Sequence, residues 1–284
     1  MTYENPQIPE GINVSPDHPL KDFFAMLAGV LLTAAIVIGA LLLVADRLVR
    51  FIPFSAERSW WSPVAEQALN ADQQAIEDYL QQLADQLAEA MALPPELQVT
   101  VHYRDDDVIN AFATLGGHIL VHRGLLETLD NENALALLIG HEVAHIYHRD
   151  PIVAMGRGIT LALVAATLSG VGDDVIAERL LGQIGDLSQL SFSRSQERKA
   201  DAGALNAVYR RYGHLRGADQ LFEALTQAHG EAANLPLYRT HPLTTQRLEA
   251  LRAFEEAHPG NGQTTDLPCS IRELNEPCDD SPSR

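Results

Sequence analysis

Residues 137–149 have the sequence Leu-Leu-Ile-Gly-His-Glu-Val-Ala-His-Ile-Tyr-His-Arg. In a helix, His141 and His145 lie one turn apart on the same face, so both imidazoles can bind one metal ion. Glu142 stands beside them and can accept a proton from a Zn²⁺-activated water as that water attacks a carbonyl. The stretch therefore predicts a hydrolytic zinc site.

The helix is predicted independently of its histidines. Asp130, Asn131 and Asn133 offer capping side chains at its start, and Asp150-Pro151 ends it. The apolar surface between these ends is formed by Leu135, Leu137, Leu138, Ala144 and Ile146. The alternative, an exposed polar stripe on an ordinary helix, would interrupt this apolar surface.

The composition limits the class of protein. With 284 residues, 46% of them hydrophobic, the chain is long enough for one sizeable catalytic domain with attachments. Its formal charge of −18 argues against nucleic-acid binding, because clustered Lys and Arg bind phosphate backbones. The two cysteines, Cys269 and Cys278, are far in sequence from the histidine pair. They form a disulfide in an oxidising compartment or stay as free thiols.

A membrane anchor is predicted over residues 23–45. This segment has no charge and is rich in Leu, Val, Ile, Ala and Gly, as a helix must be to cross about 30 Å of hydrocarbon. We predict an uncleaved, single-pass anchor in a bacterial inner membrane after a polar leader over 1–22, with a buried core helix as the alternative. Arg47, Arg50 and Arg58 follow the span, whereas one lysine precedes it. This bias favours a cytoplasmic catalytic domain, and a periplasmic one stays open.

The segment before the motif helix predicts a small sheet. An amphipathic helix is expected over 65–91 and a strand over 97–103. Residues 110–114 and 118–121 then form a β-hairpin around a glycine turn. The edge of such a hairpin can pair with an extended substrate through main-chain hydrogen bonds. The alternative is a hairpin that only closes the sheet.

A second important helix is predicted over 188–212. Glu197 and Asp201 share one face at positions i and i+4, and Leu205 and Val208 continue this face, so both carboxylates point toward the core. Buried carboxylates need partners. A metal bound to Glu197, with Asp201 holding a ligand or an arginine, would satisfy both groups. The alternative is that Glu197 and Asp201 lie on the surface and form ion pairs with nearby basic residues.

Two further segments bear on the site. Residues 159–171 are apolar but would be only about 20 Å long as a helix. One membrane crossing there would place the metal ligands on opposite sides, so this segment packs inside the domain or lies along the membrane surface. His241 is held in a loop by Pro242, where it could donate a hydrogen bond to the oxyanion formed on an attacked carbonyl.

The order of three motifs resembles a known family. His-Glu-x-x-His, then Glu-x-x-x-Asp, then His-Pro followed by an arginine is similar to the membrane-associated zinc endopeptidases of the HtpX and CAAX-prenyl protease (Ste24-like) family, which are gluzincins. The resemblance covers about residues 65–256. It implies that His141, His145 and Glu197 bind one Zn²⁺ and that Glu142 is the general base.

The same resemblance implies supporting roles. Asp201 would pair with Arg247, and His241 would stabilise the tetrahedral intermediate of the reaction. The hairpin resembles the family's substrate-binding edge, which implies four substrate-binding residues: Asn110, Gly116, Gly117 and His118.

We therefore predict a mainly α-helical, zincin-like domain over 65–256 with a small antiparallel sheet, one N-terminal transmembrane helix and a loosely ordered acidic tail over 257–284. The expected function is that of a membrane-anchored zinc metalloendopeptidase in protein quality control. Its partners would be the lipid bilayer and polypeptides, including misfolded or membrane proteins, and not nucleic acid. A zinc-stabilised chaperone or binding module without an open coordination position is the alternative. An exopeptidase would need a charged subsite that the sequence does not identify.

Overall fold

The computed structural model describes residues 19–60, 68–169, 191–223, 237, 240–241 and 245–275. The chain divides into two compact units, Met1–Val44 and Ala45–Arg284. The described elements are, in chain order, α1 (Pro19–Leu48), α2 (Phe54–Trp60), α3 (Ala71–Ala90), β1 (Thr100–Arg104), β2 (Ala111–Ala113), β3 (His118–His122), α4 (Arg123–Leu126), α5 (Glu132–His148), α6 (Asp150–Ser169), α7 (Arg194–Tyr212), α8 (Thr245–Ala257) and α9 (Cys269–Arg272). The predicted helical fold with a small sheet is confirmed.

Helix α1 contains the predicted apolar span. Within the described residues, Leu20–Phe51 is long and apolar enough to cross a membrane, and none of its most apolar window is buried. Most of the predicted polar leader, up to residue 18, lies outside the described residues. Helix α6 meets the same length and hydropathy criteria over Asp150–Thr167, with 44% of the window buried. It is longer than the predicted segment because Asp150-Pro151, which ends α5, also starts the next helix.

Helix α3 supplies one wall of the core. It starts later than the predicted residue 65, because Asn70 caps it in a reciprocal capping box with Gln73. Its apolar face is buried at the spacing that the sequence predicts, by Ile76, Leu80, Leu83 and Leu87. This face packs into the same apolar cluster as the sheet and α5.

The sheet has three strands in the order β1-β3-β2. The predicted hairpin is present, since β2 pairs antiparallel with β3 and Phe112 lies opposite Leu120. The prediction of a purely antiparallel sheet is wrong, because β1 pairs parallel with β3, with Thr100 opposite His118. Two chain reversals separate β1 from β3, so β3 runs again in the direction of β1. The sheet is therefore mixed, with β2 at one edge.

The close approach of α5 and α7 positions the site. A methyl group placed on Gly203 of α7 would lie 3.0 Å from the side chain of Ala144 on α5. One on Gly140 of α5 would lie 3.4 Å from the Cα of Ala204 on α7. Small residues on both helices let the backbones approach, and this brings Glu197 beside the motif histidines.

The first half of the predicted loose tail is ordered against the domain. Leu267 and Ile271 are buried in the main apolar cluster. The backbone of Thr265 accepts a hydrogen bond from the N–H of Glu132 and donates one to the side chain of Asn133, both at the start of α5. The two buried side chains and these hydrogen bonds thus hold the segment against the domain, although its polar composition predicts a loosely ordered tail. Cys269 is disulfide-bonded.

Candidate metal centre

Two imidazoles from α5 form the base of the centre. Asn131 caps the start of α5 and Arg149, in the left-handed region, ends it. The Nε2 atoms of His141 and His145 lie 3.1 Å apart, and both side chains are buried. Two buried nitrogens at this distance compete for one proton or share one cation.

Two more donors converge from other elements. Glu197 follows the capping box of Ser193 and Gln196 at the start of α7. Its Oε2 lies 3.4 Å from Nε2 of His141, and its Oε1 lies 3.5 Å from Nε2 of His145. The Nδ1 of His241 lies 3.0 Å from Oε1 of Glu197 and 3.2 Å from Nε2 of His141. One ligand atom from each of these four residues lies within 4.8 Å of the others.

The spacing of these donors fits a zinc ion. Donors held at about 2.0–2.1 Å from one tetrahedral ion are roughly 3.3 Å from each other. Five contacts among His141, His145, Glu197 and His241 run from 3.0 to 3.5 Å, and one ligand atom of each residue lies within 4.8 Å of the others. The donor set, imidazole nitrogen with one carboxylate, is also the set that zinc prefers. The residues present therefore fit this ion.

Both motif histidines have a carboxylate behind them. The Nδ1 of His141 lies 3.0 Å from Oδ1 of Asp201. The guanidinium of Arg247 donates to both oxygens of Asp201, from Nη2 to Oδ1 at 2.7 Å and from Nε to Oδ2 at 2.9 Å. The Nδ1 of His145 lies 2.9 Å from Oδ2 of Asp150. Such partners fix the imidazole tautomer and direct Nε2 toward the ion.

The electrostatics of the centre follow from burial and charge. Burial lowers the pKa of His141, but the carboxylates of Asp201 and Glu197 outweigh it and raise the pKa to about 9. Burial raises the pKa of Asp201, but His141 and Arg247 outweigh it and hold the pKa at about 2. Burial lowers the pKa of His241. Without a cation, the site thus attracts positive charge, which a divalent ion can supply.

Glu142 is buried beside this donor set. Its Oε2 accepts a hydrogen bond of 2.7 Å from the backbone N–H of Ala113 in strand β2. Among the described residues, its Oε1 and the Nε2 of His241 are buried without a hydrogen-bond partner, and these two atoms lie 3.7 Å apart. An orphaned acceptor and an orphaned ring nitrogen next to four metal donors indicate a place where a reactant binds.

A cavity opens at this place. Its polar wall includes His141, Glu142 and His241, and its apolar wall comes from α5, from the segment after α7 and from Leu237. The apolar wall residues are Leu137, Leu138, Leu221, Phe222 and Leu237. The cavity can thus take a group that is polar at one end and apolar at the other.

The implied substrate-binding residues lie in two places. Asn110 is buried just before β2, and its Oδ1 has no hydrogen-bond partner within the described part of the chain. A side chain on Gly116 would collide with the backbone of Arg58, and one on Gly117 with the carbonyl of Gln98, so both glycines are needed for close packing there. His118 contacts the ring of His102 across the sheet. The contacts observed for these last three residues are therefore with the sheet and the segment after α1.

From the sequence, Asp150 is predicted only to end α5, together with Pro151. The structure places its carboxylate on His145, five residues earlier, because the left-handed Arg149 turns the chain back between α5 and α6. The other oxygen of Asp150 accepts a hydrogen bond of 2.7 Å from the side chain of Gln196, a residue the sequence analysis did not single out. An acidic residue just past a predicted metal-binding helix was the available signal.

Comparison with known proteins agrees with this centre. The model of Peptidase family M48 matches residues 74–255. The beta-barrel assembly-enhancing protease of Escherichia coli (strain K12) is 29% identical over 158 residues, which cover 52% of this chain and 32% of that protein. Metalloprotease LoiP of the same strain is 28% identical over 147 residues, covering 51% and 58%. Protease HtpX of Xanthomonas oryzae pv. oryzae (strain PXO99A) is 28% identical over 188 residues, covering 52% and 64%. The chain thus spans from about a third to less than two thirds of these relatives.

Proposed function

The chain belongs to peptidase family M48, and from this premise we propose that it is a membrane-anchored zinc metalloendopeptidase. M48 peptidases are zinc metalloproteases, which agrees with the donor set described above. One observation carries the proposal: Glu142, whose Oε1 has no hydrogen-bond partner among the described residues, lines the same cavity as the donors His141 and His241. A purely structural metal site does not explain a buried carboxylate oxygen without a partner beside it, because such an oxygen destabilises the fold.

His141, His145 and Glu197 would hold the ion. Zn²⁺ bound by these residues would supply an acidified water and a Lewis acid for the scissile carbonyl. Asp201 would keep His141 in the tautomer that frees Nε2, and Arg247 would hold Asp201 in place. The protein's part in this arrangement is to fix the directions of its donors.

Glu142 would act as the general base. The backbone N–H of Ala113 holds its Oε2, so the carboxylate cannot rotate freely, and its Oε1 is left without a partner among the described residues where Glu142 lines the cavity. From there it would accept a proton from the attacking water and later pass it to the leaving amine. Because Ala113 belongs to the edge strand β2, substrate and base would be aligned by the same strand. Asn110, the residue just before β2, would bind the extended peptide there.

His241 would stabilise the oxyanion. Its Nε2 is buried, has no partner among the residues that the structure describes and lies 3.7 Å from Oε1 of Glu142, so it borders the space where the carbonyl would react. A neutral imidazole has one N–H, and burial lowers the pKa of His241, so the neutral form is favoured. The role requires that this proton is on Nε2.

The same geometry supports a second candidate function. With its proton on Nε2, His241 presents a bare Nδ1 to the donor set, 3.2 Å from Nε2 of His141. His241 would then be a fourth ligand and would close the coordination sphere, as in structural zinc sites. The protein would in this case be a zinc-stabilised chaperone or binding module.

The substrates are proposed to be polypeptides, including misfolded or membrane proteins. A membrane role is supported by the apolar helix α1 and by similarity to HtpX.

The disulfide at Cys269 supports a catalytic domain in an oxidising compartment such as the periplasm, although the arginines after the span predict the cytoplasm. Labelling Cys269 and Cys278 with a membrane-impermeant thiol reagent, before and after reduction of intact cells, would test this orientation. Labelling only after reduction supports the periplasmic orientation.

A proteolysis assay tests the proposed function directly. The full chain, purified in detergent, should contain one zinc per chain and cleave unfolded casein at internal bonds. Glu142→Gln should keep the zinc and lose cleavage, whereas Glu96→Gln, an exposed control, should change neither. Cleavage by Glu142→Gln at the wild-type rate would reject the proposed base. A wild-type protein with zinc and no cleavage would favour the binding module.

A further inference from the structure

A carboxylate outside the proposed catalytic roles holds the second motif histidine. Asp150 has two oxygens, and each has one partner: Nδ1 of His145 at 2.9 Å and Nε2 of Gln196 at 2.7 Å. His145 and Asp150 are almost fully buried, so this contact is screened from water. An acceptor on Nδ1 fixes the ring orientation and leaves Nε2 to face the other metal donors.

The hydrogen bonds continue from Gln196 to the end of α1. The Oε1 of Gln196 accepts a hydrogen bond of 3.1 Å from Nη1 of Arg157 on α6. The other side of the same guanidinium pairs with Asp46 through two bonds, from Nε at 2.7 Å and from Nη2 at 2.5 Å. Asp46 lies in the last turn of α1, just after the uncharged part of the apolar span. Four side chains therefore connect the end of this span to a metal ligand.

A purely local role does not explain these contacts. Asp150 is the first residue of α6, where a carboxylate often caps backbone N–H groups. Among the described residues, however, the observed hydrogen bonds of its side chain go to His145 and Gln196. Gln196 accepts from the N–H and hydroxyl of Ser193 as part of a capping box, and the same oxygen also receives Arg157. The charged pair with Asp46 orients Arg157 for that contact.

We propose that Asp150 is a positioning residue for His145, and that Gln196, Arg157 and Asp46 extend this support to the end of the membrane helix. The inference rests on the proposed zinc function. Its consequence is that the metal is held less firmly when the end of α1 is changed or removed, although no residue of α1 touches the ion.

The rate of zinc release from the full chain in detergent tests this inference. A chromophoric chelator in excess would report the release of the metal with no substrate present. Asp150→Asn keeps an acceptor for His145 but removes the charge, and it should speed zinc release by about 10-fold or more. Asp46→Asn should speed release by about 3-fold. Arg47→Gln removes a charge from the neighbouring exposed residue, and it should leave the release rate unchanged.

A double-variant comparison adds a readout that general destabilisation would not produce. In an Arg157→Gln background, Asp46→Asn should have no further effect on zinc release, because the connection is already broken. Equal release from wild type and Asp150→Asn would overturn the proposal, as would equal release from Asp46→Asn and Arg47→Gln. Should Asp150→Asn fail to fold by circular dichroism, the Asp46 and Arg47 contrast decides. If the wild-type chain binds zinc and cleaves casein, but all variants release zinc at the same rate, this inference alone is rejected. A wild-type chain without zinc rejects the proposed function as well.

Discussion

Helix α5 carries two buried carboxylates that differ in how their oxygens are used. Glu132, in its first turn, accepts hydrogen bonds from the hydroxyls of Tyr79 and Tyr212, each at 2.5 Å, and from Arg211 at 3.1 Å. Glu142, ten residues later, has one oxygen on the N–H of Ala113 and one that has no partner in the described ranges of the chain. Both are shielded from water, so burial alone does not separate them. The unused oxygen marks the carboxylate that is available for chemistry.

Glu132 belongs to a cluster that stabilises the fold, whereas Glu142 belongs to a site that would bind a reactant. The Glu132 cluster joins the start of α5 to the middle of α3 and the end of α7, and both oxygens of its carboxylate have partners. The metal centre joins the middle of α5 to the start of α7, and here Oε1 of Glu142 and Nε2 of His241 have no partner among the described side chains and backbone. Metal removal and substitution should therefore affect the two clusters differently.

Zinc removal should give the largest effect. A chelated protein should lose all cleavage, and its free energy of unfolding should fall by about 4 kcal/mol relative to protein with free zinc at a thousand times its dissociation constant. The zinc-free and zinc-loaded proteins would be compared by thermal denaturation and by casein cleavage, with zinc added back as the control. Equal melting temperatures would show that the metal does not contribute to the stability of the α5 and α7 pair.

His241→Ala should give the next largest effect. Loss of one oxyanion donor should lower kcat by about 10²- to 10³-fold, with one zinc per chain retained. Zinc content would be measured by atomic absorption and kcat with a fluorogenic peptide. His258→Ala is the control. His258 follows the last residue of α8, and its Nδ1 is hydrogen-bonded to the backbone carbonyl of Phe254. If His241→Ala loses its zinc instead, His241 is a ligand and the closed site of the binding module is favoured.

Glu132→Gln should have a smaller effect. It should lower the stability of the fold and leave the activity unchanged. It replaces a charged acceptor of two tyrosine hydroxyls, so the free energy of unfolding should fall by about 1–3 kcal/mol. The kcat and zinc content of the folded protein should stay at wild-type values. Urea denaturation, with the exposed Glu89→Gln as control, measures the change. A selective loss of kcat in Glu132→Gln would contradict the division into a structural and a reactive carboxylate.

The smallest effect concerns pH. Burial and the carboxylate of Glu132 raise the pKa of both Tyr79 and Tyr212. An unfolded tyrosine loses its proton near pH 10, so the folded state binds more protons above this value and its stability falls as pH rises further. The loss should reach about 1.4 kcal/mol per pH unit for each tyrosine. Unfolding in urea at pH 9, 10 and 11 should show a shallower fall for Tyr79→Phe than for wild type.

The sequence predicts the parts of the centre that a single helix determines. His141, Glu142 and His145 follow from local spacing, and the helical face shared by Glu197 and Asp201 follows in the same way. Their meeting does not, since it depends on the close approach of α5 and α7 through Gly140 and Gly203. Periodicity describes the face of a helix and not its neighbour.

The errors have a common cause. The parallel pairing of β1 with β3, the packing of Leu267 and the contact of Asp150 with His145 all depend on chain reversals between elements. Turn geometry there is set by a few residues, such as the left-handed Arg149, whose conformation is uncommon for a side chain of this kind. Composition predicted a loose tail after residue 256, whereas two buried side chains are enough to hold its first half.

The division of the metal donors between α5 and α7 has a consequence during synthesis. More than fifty residues separate His145 from Glu197, and His241 follows another forty or so later. A ribosome-bound chain that has exposed only α5 carries the base and two imidazoles without the acidic ligand. We therefore expect the nascent protein to be inert toward its neighbours until its final third has emerged and α7 has packed against α5.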